Sequence, residues 1–239
     1  MSELRFLPSG DAALVVEFGS TVDRKVSDRV LSLSALVRTL PGVLTTVPTF
    51  RSLLVQYDPL RTRAQDLQEV IASRLDTAQT SGAAARRWHL PACYEPDFAP
   101  DLADVAERTQ HSVADVVRLH TQTEFHVYVV GFVPGFGYLG DLPKELVLPR
   151  RADPRVKVPA GSVAIAQNLT GVYPQESPGG WHLIAACPVR FFDVAADRPS
   201  LLAPGDKVRF EPVAAAEYER IKAAVAARDY HPPSEALAA

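Results

Sequence analysis

Gly131-Phe-Val-Pro-Gly-Phe-Gly-Tyr-Leu-Gly140 is the stretch on which the reading of this chain turns. Glycines, one proline and three aromatics within ten residues suit neither a helix nor a plain strand. Glycine opens backbone angles closed to other residues and admits close approach, while proline fixes φ and offers no donor to a ladder. The aromatics Phe132, Phe136 and Tyr138 cannot all hide on one strand face once glycines break the alternation, so the run reads as a loop shaped for contact. Working outward, Phe125–Val130 is a strand that delivers this loop. Beyond it, Gly/Pro clusters at 158–163 and 173–181 punctuate short β runs at Lys157–Val158, Val163–Ala166, Trp181–Ala186, Val189–Phe192 and Lys207–Phe210. Many short strands with such punctuation predict a closed or sandwiched β domain.

Upstream the pattern changes. Ala12–Phe18 reads as a buried strand, and Val30, Leu33, Val37 and Leu40 recur at helical spacing until Pro41-Gly42 stops them. Val43–Pro48 and Leu53–Tyr57 are extended runs about a Thr49–Ser52 turn, Ala64–Ala78 is helical, and Arg86–Tyr94 is extended again. Strand, helix, strand, strand, helix, strand is the split βαβ order of a ferredoxin-like domain, with Thr77–Ala85 as a linker just inside it. The expected fold class is α+β, with a ferredoxin-like N-terminal domain over 1–92 and a second domain over 93–239. Two short helices, Leu102–Arg108 and Val113–His120, open the second domain, with Ser112 placed to cap the latter. Tyr218–Val225 is a final helix, and Pro232-Pro233 begins a tail expected to fray.

The 239 residues are 47% hydrophobic with a net charge of −3 at pH 7, which gives no global field toward nucleic acid or lipid. No secretory leader pattern and no apolar run of about 20 residues stands out, so a cytoplasmic protein with reduced Cys93 and Cys187 is expected. No phosphate-binding P-loop, nucleophile elbow or zinc-protease motif occurs, the isolated cysteines point away from a metal site, and no catalytic residue is nominated. His89, His111, His120, His182 and His231 read as surface or internally satisfied residues; His126, at the start of the strand entering the loop, is the one nearest a site. The basic knot Arg150, Arg151, Arg155 and Lys157 reads either as an anion clamp, since guanidinium matches carboxylate and phosphate, or as a solvated charged loop. Gly161 and Ser162 can present amides and a hydroxyl to an anion. Gly179-Gly180-Trp181 is a tight turn carrying an indole into the core, or a pocket wall.

Four of these stretches, GFVPGFGYL (131–139), PRRADPR (149–155), VPAGSVAIA (158–166) and TGVYPQESPGGW (170–181), resemble the 5-oxoprolinase B-subunit family, also known as allophanate hydrolase subunit 1. The likeness continues upstream through GDAALVVEFG (10–19), SLLVQYDP (52–59) and CYEPDFAPDL (93–102), and so covers nearly the whole chain. The resemblance implies a cyclophilin-like β-barrel for the second domain. It also implies an ATP-dependent, Mg²⁺-requiring enzyme that opens 5-oxo-L-proline to L-glutamate with a homologous C subunit, plus a third subunit. The family includes inhibitors of a sporulation histidine kinase, so a binding role without turnover is the alternative. On either reading Phe132, Pro134, Phe136, Tyr138 and Trp181 are expected as pocket walls or partner contacts. Arg150, Arg151 and Arg155 are the expected anion clamps, with Gly161, Ser162, Gly179 and Gly180 giving backbone approach. The chain departs from the family at Leu169, where members usually carry Gln, and at Ala186, where they usually carry Arg.

Overall fold

The computed structural model describes residues 4–74 and 85–237, which fall into two compact units, the first comprising the chain up to Ala85 together with Leu237 and the second running Arg86–Ala236. The sequence linker at Thr77–Ala85 and the end of the second helix lie largely outside the described residues. The first unit contains β1 (Arg5–Pro8), β2 (Ala13–Glu17), α1 (Arg24–Val37), β3 (Val43–Pro48), β4 (Ser52–Tyr57) and α2 (Ala64–Arg74). Asp23 caps α1 by accepting the Val26 amide at 2.8 Å, as an aspartate at this position does. The helix then lays Val26, Val30, Leu33 and Val37 on one buried face, where they join Leu14, Val16, Leu53 and Val55 from alternate positions of the strands. The antiparallel order is β1-β2-β4-β3.

One expectation fails here. The run after residue 85 does not return to this sheet; β1 takes the edge beside β2 instead. Arg86–Ala92 becomes β5 of the second unit, so the division falls at Ala85/Arg86 rather than after 92. The physical reason is burial. Leu90 and Ala92 are wholly buried, and a strand enclosed in this way needs neighbours on both sides, which the strands at Lys207–Pro212 and Ser234–Ala236 provide.

The second unit adds α3 (Leu102–Arg108), α4 (Val113–Gln122), β6 (Phe125–Val130), β7 (Gly137–Gly140), β8 (Arg155–Val158), β9 (Ser162–Ala166), β10 (Leu169–Val172), β11 (Ser177–Gly179), β12 (His182–Ala186), β13 (Lys207–Pro212), α5 (Ala215–Ala226) and β14 (Ser234–Ala236). Among the described residues the large sheet runs β12-β9-β10-β7-β6-β13-β5-β14, with β8 and β11 paired apart from it. Among the described strand pairings of this sheet, only β13–β5 is parallel. The expected closed barrel is not formed. The two flanks meet at a single bridge, where Cys93 and Ala186 exchange hydrogen bonds of 2.8 and 2.9 Å. Val189–Phe192 forms no strand beyond the isolated Phe192–Ser200 bridge. The tail expected to fray is held, because β14 pairs with β5 and Pro233 accepts the His89 amide at 3.0 Å.

The sheet packs α3 and α4 over a core that includes Leu90, Phe125, Val163, Ile165, Ile184 and Phe210. Ser112 caps α4 by accepting the Asp115 amide at 3.1 Å. Within this core His120 is fully buried between the Tyr94 hydroxyl, 2.7 Å from Nδ1, and the Thr170 hydroxyl, 3.0 Å from Nε2. Thr170 donates its own proton to the Ala164 carbonyl at 3.0 Å, so its oxygen accepts from His120 Nε2–H and Tyr94 donates to Nδ1. The ring is a neutral, internally satisfied histidine, and burial lowers its pKa to about 3. No described helix is long and apolar enough to cross a membrane.

Candidate functional site

The 131–140 run folds as a closed loop. Gly131 donates its amide to the Phe136 carbonyl at 2.9 Å, and Phe136 donates to Val133 at 3.1 Å. Gly135 adopts φ +84, and a Cβ there would lie 2.8 Å from the Phe191 carbonyl oxygen, so the turn needs glycine for both angle and space. The three aromatics separate as their spacing requires: Phe136 is buried, Tyr138 is half-buried, and Phe132 stands 60% exposed at φ +73. Pro134 is exposed beside it.

Phe136 is the hub of an aromatic cluster. It meets Phe132, Tyr138, Tyr173 and Trp181 edge-on, with centroids 5.7, 4.9, 5.3 and 5.7 Å away. Room for these rings comes from small residues underneath. On β9 the side chains alternate, Val163 and Ile165 joining the main core while Ala164 and Ala166 face the rings. A Cβ on Gly171 would sit 2.9 Å from Phe136 Cζ, and one on Gly179 would overlap the Tyr173 ring. Burial pushes the Tyr138 and Tyr173 hydroxyls upward in pKa, and the charge of Arg150 pulls each partly back. Arg155 acts on Tyr173 in the same sense. Arg150 itself is exposed, and its charge reaches both ring hydroxyls.

The other knot arginines are already engaged. Arg151 Nη1 and Arg155 Nη2 donate to the same Asp101 oxygen at 3.1 and 2.7 Å, and the Leu183 amide donates to the other at 2.7 Å. Burial alone would raise the Asp101 pKa, but the Arg155 and Leu183 hydrogen bonds and the two guanidinium charges hold it below the usual carboxylate value. The pair expected as open clamps thus holds a carboxylate of its own chain. Some capacity remains. Arg151 Nε, Arg155 Nη1, Ser177 Oγ and His182 Nδ1 are buried without a hydrogen-bond partner, and all four belong to the strands and turns around the knot. Arg155 pairs across β8–β11 with Gly179, and Arg151 donates its amide to the Gly180 carbonyl at 2.8 Å.

The glycines expected to let a ligand approach serve internal contacts. Gly161, at φ +85, faces the Cys187 carbonyl, Gly179 makes room for Tyr173, and a methyl on Gly180 would meet Pro154 at ordinary distance. Ser162 is buried at the far end of β9 from Ala166. The fold thus joins Phe132, Phe136, Tyr138, Trp181, Arg150 and Arg155, and leaves Gly161 and Ser162 at a distance along the strand. His126 is buried with Nδ1 2.8 Å from Lys207 Nζ, behind the loop rather than in it. Burial pushes the Cys187 thiol up to about 12, which leaves it inert at neutral pH. Asp101 and Tyr173 escaped the sequence reading. Asp101 resembles a routine helix cap before α3, although its side chain caps nothing. Tyr173 had a signal, standing between Gly171 and Gly179, which lack the side chains its neighbours would otherwise crowd.

Comparison with known proteins bears on this arrangement. The chain is 35% identical over 229 residues to the 5-oxoprolinase B subunit of Bacillus subtilis, covering 89% of this chain and 94% of that one. The corresponding protein of Escherichia coli O157:H7 is 38% identical over 212 residues, covering 89% and 97%. Residues 4–202 match the family described as carboxyltransferase domain, subdomain C and D. The chain belongs to the 5-oxoprolinase B-subunit family. Its fold also matches the urea carboxylase of Kluyveromyces lactis, with a TM-score of 0.77 at 20% identity, over 97% of this chain and 24% of that longer protein.

Against the family pattern, both departures fall on the β9 face that carries the aromatic cluster. Opposed residues of an antiparallel pair share a face. Leu169 pairs with Ala166 and packs on the cluster, while Ala186 pairs with Ser162 at the other end of the strand. With a rise of about 3.3 Å per residue, the two positions lie roughly 13 Å apart along β9.

Proposed function

We propose that this chain is the B subunit of a multi-subunit, ATP-dependent amidohydrolase of the 5-oxoprolinase type, opening 5-oxo-L-proline to L-glutamate together with a homologous C subunit, plus a third subunit. The proposal keeps a ferredoxin-like description of the first unit, with β1 standing where the expected last strand would lie, and a cyclophilin-like description of the second as a sheet that is not closed into a barrel. It draws on the relatives named as 5-oxoprolinase B subunits, and the observation that carries it is the aromatic cluster around Phe136, whose Tyr138 and Tyr173 hydroxyls both feel the charge of Arg150. A five-membered lactam presents an apolar ring and one carboxylate, which these groups match by stacking and by a charge-assisted hydrogen bond. The residues offer an anion a partner but offer Mg²⁺ little, since the Asp101 oxygens are taken by two arginines and an amide. ATP with Mg²⁺ supplies the activation that an unstrained amide needs, in a site shared with the partner subunits. The role derived for this chain is to hold and orient the substrate, with no turnover alone.

The test is reconstitution of the chain with the partner subunits of its own organism. The expected result is ATP-dependent glutamate release, with Arg150→Ala raising KM about tenfold, the weight of one charged hydrogen bond, at unchanged melting temperature. An assembled complex with no glutamate release refutes the reading. A second reading, docking on a sensor histidine kinase, draws on the exposed Phe132 ring. Phe132→Ala would then abolish kinase binding, and if it leaves binding intact this alternative fails.

A further inference from the structure

The segment that follows β12 folds back on itself and meets the end of α5 around a cavity of about 380 Å³. None of the loops of the candidate site lines it. Its apolar wall is Val189, Leu201 and Val225, and its polar wall is Arg190, Arg198, Arg228 and Tyr230. One carboxylate answers these cations, because Arg190 Nη1 and Arg228 Nη2 both reach Asp193 Oδ2, at 3.1 and 3.3 Å. Arg198 forms no ion pair or hydrogen bond among the described residues. Three guanidinium groups against Asp193 leave a net positive charge over an apolar floor.

The backbone supports this arrangement at a cost. Arg228 occupies the position just beyond α5, where the turn is closed by Arg228 N–H to Val225 O at 3.2 Å and Asp229 N–H to Ala224 O at 2.9 Å. It does so at φ +65, in the left-handed region that ordinarily takes glycine at such a position. A glycine would close the same turn without strain but would bring no guanidinium to Asp193. Strain kept in place where a charged group enters a cavity is a sign of use rather than packing. Tyr230 contributes a neutral hydroxyl, since burial pushes its pKa up.

We propose that this cavity binds a small organic oxyanion with an apolar body, with Arg198 as the principal contact, Arg190 and Arg228 in support, and the apolar wall taking the carbon chain. The volume lies within the range of small-molecule sites. Guanidinium matches the oxyanion geometry. The inference is independent of the 5-oxoprolinase reading, since it uses no residue of that site.

The experiment titrates the full chain with hexanoate, acetate, methyl hexanoate and hexylamine, following backbone amide resonances. Hexanoate should give saturable shifts confined to 189–201 and 225–232, at least about fivefold tighter than acetate, with no saturation by the ester or the amine. Arg198→Ala, at an exposed position, should weaken hexanoate about tenfold, and Arg198→Lys should recover part of the loss. Asp193→Asn should tighten binding by releasing Arg190 and Arg228 from their internal competitor. Equal affinity for acetate, equal affinity for hexylamine, an unaltered Arg198→Ala titration, shifts centred on 131–140, or no saturation at millimolar hexanoate each overturns the proposal.

Discussion

Asp101 and Asp193 each hold two arginines through a single carboxylate oxygen, and they differ in nearly everything else. The Asp101 side chain is 6% exposed, with partners at 29% and 26%; Asp193 is 22% exposed, with partners at 40% and 65%. Asp101 also binds the Leu183 amide at the centre of the unit, whereas Asp193 binds the Ala195 amide of its own loop. A buried pair is costly to break, because removing one partner strands charge in a low dielectric. An exposed pair exchanges readily with water and solutes. Identical chemistry therefore fastens the knot to β12 in one place and leaves guanidinium groups open to a ligand in the other.

The comparison breaks most visibly at Asp101. Asp101→Asn should cost about 3 kcal/mol in urea unfolding, since Arg151 and Arg155 keep their charges and lose their counter-ion. A cost below about 1 kcal/mol would place Asp101 in the same class as Asp193 and dissolve the contrast. His120 sharpens the same point for a base. Its folded pKa, about 3, lies below the ordinary 6.5, so the unfolded chain takes up the proton first as pH falls. Its contribution is complete above about pH 6.5, and roughly 2 kcal/mol of it should be lost between about pH 7 and pH 5. His120→Gln should flatten that part of the stability profile, and an unchanged slope would mean the ring charges inside the fold. Asp101 adds a separate loss at more acidic pH, as its depressed pKa is approached. The smallest effect is at Asp193, where Asn should leave the unfolding midpoint unchanged. A clear downward shift there would make the second pair structural.

Much of the scaffold could be read in advance because its signals are local. The Val30–Val37 periodicity, the Pro41-Gly42 stop and the Ser112 cap each depend on a few neighbouring residues, and each appears in the structure. The loop at 131–140 was equally legible, since broken alternation forces its rings apart. What escaped depends on distant partners. Whether Arg86–Ala92 pairs with β2 or with β13 is decided by residues far along the chain. The knot reads as free cations until Asp101 is brought to it across 50 residues. A four-residue strand such as β1, ending in proline, has too few positions to display an alternation. Leu169 drew notice only through a family pattern, and its contact with the aromatic cluster follows from β-sheet register.

The parallel pairing of β5 with β13 also orders events during synthesis. Arg86 donates its amide to Asp206 across 120 residues, and β14, which pairs with the other edge of β5, is made later still. A nascent chain emerges N-terminus first. The first unit can therefore close around α1 and β4 while β5 has neither lateral neighbour. A ribosome that pauses or terminates before Lys207 leaves β5 with both hydrogen-bonding edges bare, which is the arrangement most prone to pairing with another chain. The last seventh or so of the message, from Lys207 onward, thus protects a strand made much earlier, and truncated products should accumulate as aggregates rather than as soluble fragments.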